Sequence, residues 1–453
     1  MKIEINKQII KHGLFFLSIF IFLLSSFSPV NANRVTQDTP PTFQGVIAYI
    51  ERDGDIYLQI GETNQIIQLT FDANEHYYST PRFSPNGQFL GFLKTDNQKG
   101  ETTYDLHIMD LETRKTIRLA ENVDDWGNYD WAPDSKSIAF GYSIEQACHD
   151  YELTEPFGIW EVSLETNEMK EIVSPSSPNA PMKKPEYSFN GKFLSFETYP
   201  CFSAGFNVGI MDISNGETFM IGSREYDWSP HQNTIISSND VTGGGNGELS
   251  IISPNQSVED NLLESNKYSI ADPHWSPDGK WIALRLHTVS EGMYIYSDET
   301  TEWEDKLVIL DVESSQTQEI CTGEEIWGCK FISWSSDGNQ FVYQDKNQPQ
   351  IDWYLYSLDS NQKYYFPEFG ESDLDWMSFN LLPQSFLPTP EPTNQEVIIE
   401  PITEIHPEST QAVEMEETTT NRIPLILGLG LIVLSIIFAI ILFVLKQSKN
   451  YSK

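Results

Sequence analysis

The sequence predicts an all-β repeat fold, and three observations predict it. The run Trp275-Ser276-Pro277-Asp278-Gly279-Lys280-Trp281-Ile282-Ala283-Leu284 reads as a strand end, a tight turn and a second strand. Pro277 presets φ at about −65° and Asp278-Gly279 supplies reversal chemistry, while Ile282 and Leu284 alternate around Ala283 with the period of a strand. The second observation is repetition. Phe83-Ser84-Pro85-Asn86-Gly87, Trp131-Ala132-Pro133-Asp134, Tyr187-Ser188-Phe189-Asn190-Gly191, Trp228-Ser229-Pro230-His231 and Trp334-Ser335-Ser336-Asp337-Gly338 copy the turn, and each is followed by a similar strand. The third is spacing: the aromatic anchors recur roughly every 41 to 59 residues, the period of a four-stranded propeller blade with insertions.

The chain in order begins with Lys2, Lys7 and Lys11, the apolar run 14–24 and the small residues of Val30-Asn31-Ala32. This is the pattern of a secretory signal peptide over 1–32, cut after Ala32. A polar lead-in covers 33–44. Strands Ile47-Ala48-Tyr49, Ile56-Tyr57-Leu58 and 65–69 then follow with no anchor strand ahead of them. The missing strand stands at the far end, where Asp373-Leu374-Asp375-Trp376 resembles Tyr129-Asp130-Trp131 and Tyr226-Asp227-Trp228. Joining the two ends makes one composite blade. The expectation is therefore a seven-bladed β-propeller over 45–380, closed by its N- and C-terminal strands so that no sheet edge is left open.

Beyond it, prolines alternate with glutamates through 381–422, a composition that extends and repels itself and reads as an extracellular stalk. The uncharged stretch 423–445 is long enough at ~1.5 Å per residue to cross a bilayer as one helix. Lys446, Lys449 and Lys453 follow it, which places the tail 446–453 in the cytoplasm and the propeller outside, on the membrane of the cell.

The anchor turns and the strands after them resemble the TolB-like β-propeller repeat, a relative of the WD repeats, over roughly residues 45 to 380. That resemblance implies protein–protein contacts, while the fold by itself names no activity.

Lys and Arg number 28 against 66 Asp and Glu, a formal net charge of −38. A nucleic-acid partner is excluded, because phosphate binding requires basic surfaces. Cys148, Cys201, Cys321 and Cys329 have no zinc-ligand spacing, so disulfides are expected in an exported domain. The repeat register pairs Cys148 with Cys201 in one loop of adjacent blades, and Cys321 with Cys329 around a blade link. No serine-hydrolase elbow, nucleotide loop or cofactor motif is present, and the histidines show no ligand spacing. Asp130, Asp227 and Asp375 sit beside the anchors on the innermost strands; strand-end hydrogen bonding is their first reading, and a channel cation such as calcium is the alternative.

Loops joining second to third strands share one face with the links between blades, and the Ser-Pro-Asp-Gly turns lie on the other. The first face is elaborated: insertions at 143–157, 197–205 and 286–304 carry Tyr151, Phe157, Tyr199, Phe202, Tyr294, Tyr296 and Trp303. Blade links add Tyr77, Tyr78, Trp126 and Trp327, and acidic residues lie among them. Such residues predict a face that binds a protein or an extracellular polymer without catalysis. The competing class is a lyase or hydrolase acting on an extracellular polymer at the propeller mouth.

Overall fold

The computed structural model describes residues 43–96, 104–123, 129–142, 158–175, 182–198, 207–222, 225–239, 247–254, 258–288, 304–323, 328–346, 351–366 and 374–386. These residues form seven four-stranded antiparallel sheets. The chain is a seven-bladed propeller.

Blade one is the composite. Its innermost strand, Leu374–Met377, pairs with Val46–Ile50, with Trp376 opposite Ile47 and Asp375 opposite Ala48. The two remaining strands are Ile56–Ile60 and Gln65–Gln68. Phe43 seals the seam with edge contacts to Trp376 at 5.3 Å and Phe366 at 5.7 Å, and the Trp376 indole N–H donates to the Gln44 carbonyl at 2.7 Å. The six internal blades follow in sequence order, and the fourth strand of blade five is Val258–Ser265.

The repeated turn explains its own composition. In blade six the buried Ser276 hydroxyl accepts the Trp281 N–H at 2.9 Å and donates to Asp278 at 2.8 Å, while the Gly279 N–H closes the turn onto the Ser276 carbonyl at 2.9 Å. Gly279 takes φ +71°, a conformation that only glycine adopts without strain. Ser84 and Ser335 make the same contacts in blades two and seven.

Each blade packs face to face on the next. Between blades one and two, Ala48, Ile50 and Leu58 meet Tyr78, Leu90 and Phe92; between two and three, Leu93 and Ile108 meet Tyr129, Trp131 and Phe140. Of the anchors, Phe83, Trp131, Tyr187, Trp228, Trp334 and Trp376 are under a tenth exposed, as expected of residues wedged between sheets, while Trp275 is only partly buried. Cys321 and Cys329 form the expected disulfide between blades six and seven, with Cα atoms 6.0 Å apart. Cys148 and Cys201 lie outside the described residues.

The propeller runs further than residue 380. Two short 3-10 turns, Phe379–Leu381 and Gln384–Phe386, lay the chain across the turn face of blade two. There Leu382 and Phe386 are buried, Leu381 packs on Gly87, and the Arg114 guanidinium lies 3.8 Å over the Phe386 ring. No helix among the described residues is long and apolar enough to cross a membrane, and 1–32 and 423–445 lie outside them.

Candidate functional site

The innermost strands surround a cavity of about 670 Å³ lined by residues of six blades, among them Arg82, Asp130, Asp227, Asp272, His274 and Asp375. Two kinds of innermost strand alternate through blades one to six. In blades one, three and five the residue before the anchor is an aspartate: Asp375, Asp130 and Asp227. In blades two, four and six the strand reads Thr80-Pro81-Arg82, Lys184-Pro185-Glu186 and Asp272-Pro273-His274. There Thr80, Lys184 and Asp272 adopt positive φ values of 45°, 52° and 54°, and the pairing register skips across each of them. A left-handed residue before proline is sterically disfavoured, so each bulge is held by its surroundings.

The aspartates do much of the holding. Asp375 accepts the Phe83 N–H at 2.7 Å, Asp130 the Tyr187 N–H at 2.8 Å, and Asp227 the Trp275 N–H at 2.7 Å. Each carboxylate thus fastens its blade to the anchor of the next. The return bonds come from indoles: Trp131 donates to the Arg82 carbonyl at 3.1 Å, and Trp334 to the His274 carbonyl at 3.2 Å. Strand-end hydrogen bonding is therefore what these aspartates do.

Burial pushes the Asp130 and Asp227 carboxyls up to about 6, against the pull of Arg82 on Asp130 and of His274 on Asp227. Asp375 is raised by the same cause. Asp272 behaves oppositely. Burial would raise it, but His274 lies 3.1 Å away and the pair holds Asp272 down at about 2 and His274 above the usual imidazole range. The His274 ring also stacks on Phe331 at 4.9 Å.

Asp130, Asp227 and Asp375 line the channel but do not converge as one compact set of donor atoms. Among the described residues, the one set of three or more Cys, His, Asp or Glu whose donor atoms lie within 4.8 Å of one another is Cys321, Cys329 and Asp345. Its two sulfurs are joined as a disulfide and offer no thiolate to a metal.

Of the aromatic face, the structure describes Tyr77 and Tyr78 and corrects their placement. The link reading fails because the bulge at Thr80 lengthens the first strand of blade two to His76–Phe83, which takes both in. Tyr78 is 3% exposed and belongs to the core between blades one and two; Tyr77 is 50% exposed. Trp126, Tyr151, Phe157, Tyr199, Phe202, Tyr294, Tyr296, Trp303 and Trp327 lie outside the described residues. What the sequence reading missed is Arg82, Asp272 and His274. The signal was present as a charged residue between a proline and the anchor in alternate repeats.

No family model and no curated protein matches the chain. Solved structures do resemble it. A prolyl endopeptidase superposes with a TM-score of 0.51 at 13% identity, over 78% of this chain and 53% of its own, so the likeness spans about half of that protein. TolB from Acinetobacter baumannii gives 0.42 at 14% identity, over 76% and 68%, and an oligogalacturonate lyase in complex with manganese gives 0.48 at 12%, over 71% and 85%. At these identities what is shared is the fold.

Proposed function

We propose that this chain is a cell-surface protein, tethered by a single membrane helix at 423–445, whose propeller binds an extracellular protein or polymer on its link face. The observation that carries binding over catalysis is the commitment of the channel aspartates to bonds between blades. Leu374–Met377 runs from the link face to the turn face, and 379–386 is pinned there by Leu382, Phe386, Arg114 and a bond from the Ser385 hydroxyl to Glu112 at 3.3 Å.

Protease added to intact cells tests the topology. The expected outcome is a released propeller cut between 387 and 422, with the 446–453 tail protected. A protected propeller with an accessible tail would reverse the orientation. One observation favours a second reading, an extracellular lyase or hydrolase: the Asp272–His274 pair places an acid–base group in the channel. That reading requires polymer cleavage that His274→Ala abolishes.

A further inference from the structure

A second pocket lies off the axis, on the link face between blades one and two, with a volume of about 280 Å³. Glu51, Arg52 and Asp53 form one wall; His76, Tyr77 and Tyr78 form the other. The first wall is the loop between Val46–Ile50 and Ile56–Ile60, and the second begins the inner strand of blade two.

The pocket is built rather than incidental. Asp55, 7% exposed, accepts the Thr70 hydroxyl at 2.8 Å and the N–H groups of Asp72 and Ala73 at 3.2 Å each, which ties the loop of blade one to the link behind it. Tyr57 donates to Asp53 at 2.7 Å, and the Asp55 N–H reaches the other Asp53 oxygen at 3.0 Å. Across the pocket, Asp72 receives the Tyr78 hydroxyl and the Lys94 ammonium, the latter at 2.9 Å. His76 is braced between Asp72 at 3.5 Å and the Thr95 carbonyl at 3.3 Å. Walls fixed in advance lower the ordering cost of binding.

We propose that this pocket binds one sugar-sized unit of a neutral, hydroxyl-rich polymer; the inference rests on the binding reading above and names the ligand class for one part of that face. The charges select the class. A carboxylate has about four acceptor sites, so Asp53 and Glu51 retain acceptor capacity for hydroxyl protons, and Arg52 on the same wall is a donor. Glu51 and Asp53 repel an anion, while the hydroxyls of a neutral ligand can donate to these carboxylates and accept from Arg52. The Tyr77 ring lines the pocket while half exposed, the position from which an aromatic face covers the apolar C–H face of a sugar ring.

The test is affinity chromatography of the full-length chain in detergent on immobilised dextran, mannan, galactan, polylysine and polyglutamate. Retention is expected on at least one neutral polysaccharide, with elution by its free monosaccharide. Tyr77→Ala and Asp53→Asn should each weaken that retention at least tenfold, Tyr77→Phe should preserve it, and Asp130→Asn in the channel should leave it unchanged. Equal melting temperatures would show that the weak variants are folded. The proposal is overturned by passage through every neutral column, by retention on polylysine or polyglutamate alone, or by neutral retention that ignores Tyr77 and Asp53. These columns use purified protein, so their failure alongside protease release from cells would remove the sugar pocket and leave the surface-protein reading standing.

Discussion

Asp227 shows how a single carboxyl in the channel wall can hold the ring together and oppose it at once. It gives the Trp275 N–H a partner, yet burial lifts its proton affinity to about 6, so the charged form is penalised in the fold. Replacing it by alanine strands that N–H and should cost about 1–3 kcal/mol in denaturant unfolding. Asparagine keeps an acceptor oxygen without the charge, so Asp227→Asn should be close to neutral at pH 8, and a loss as large as alanine's would refute this division. The pH dependence follows from the same shift. Asp130 and Asp227 bind protons more tightly folded than unfolded, so they favour the fold below their unfolded values, and that contribution is lost as pH rises through about 6. His274, also raised, acts in the same direction. Asp272, held near 2, acts oppositely, but only at pH values well below that window. The propeller should therefore melt at a lower temperature at pH 8 than at pH 5.5, and the Asp130→Asn, Asp227→Asn double variant should flatten the difference. An unchanged slope would show that other groups set it.

At the scale of the element, the strap 379–386 and the composite blade depend on each other. Phe386 is 3% exposed under Arg114, and Leu382 closes the same apolar cover over Leu111. Phe386→Ala should cost about 3–5 kcal/mol and lower the whole transition, because the strap continues the strand that pairs with Val46–Tyr49. If only a local fraying signal appeared, the strap would be an appendage of the propeller. The blades were legible because each Ser-Pro-Asp-Gly turn is a local device whose residues bond to one another, so six short copies carried the fold. The closure was legible because Leu374-Asp375-Trp376 repeats an inner-strand pattern. The bulges were not. A left-handed residue before proline runs against local preference, and tertiary bonds hold it in place, from Asp375, Asp130 and Asp227 to the anchors and from the Tyr129 hydroxyl to the Thr80 carbonyl. For the same reason Tyr77 and Tyr78 read as loop residues, and the Arg82 and His274 positions passed unnoticed.

For the whole molecule, the propeller is joined to a stalk and a helix that are read from the sequence. The central claim is that the propeller stands outside the cell on a membrane tether. Labelling of its surface on intact cells tests this most directly. A clickable amino acid would be placed at Ile213, 40% exposed in a turn-face hairpin of blade four, or at Phe71, 74% exposed in a blade link, and labelled on intact cells. Both positions should label from outside without opening the cells. Labelling only after the cells are opened would contradict the claim.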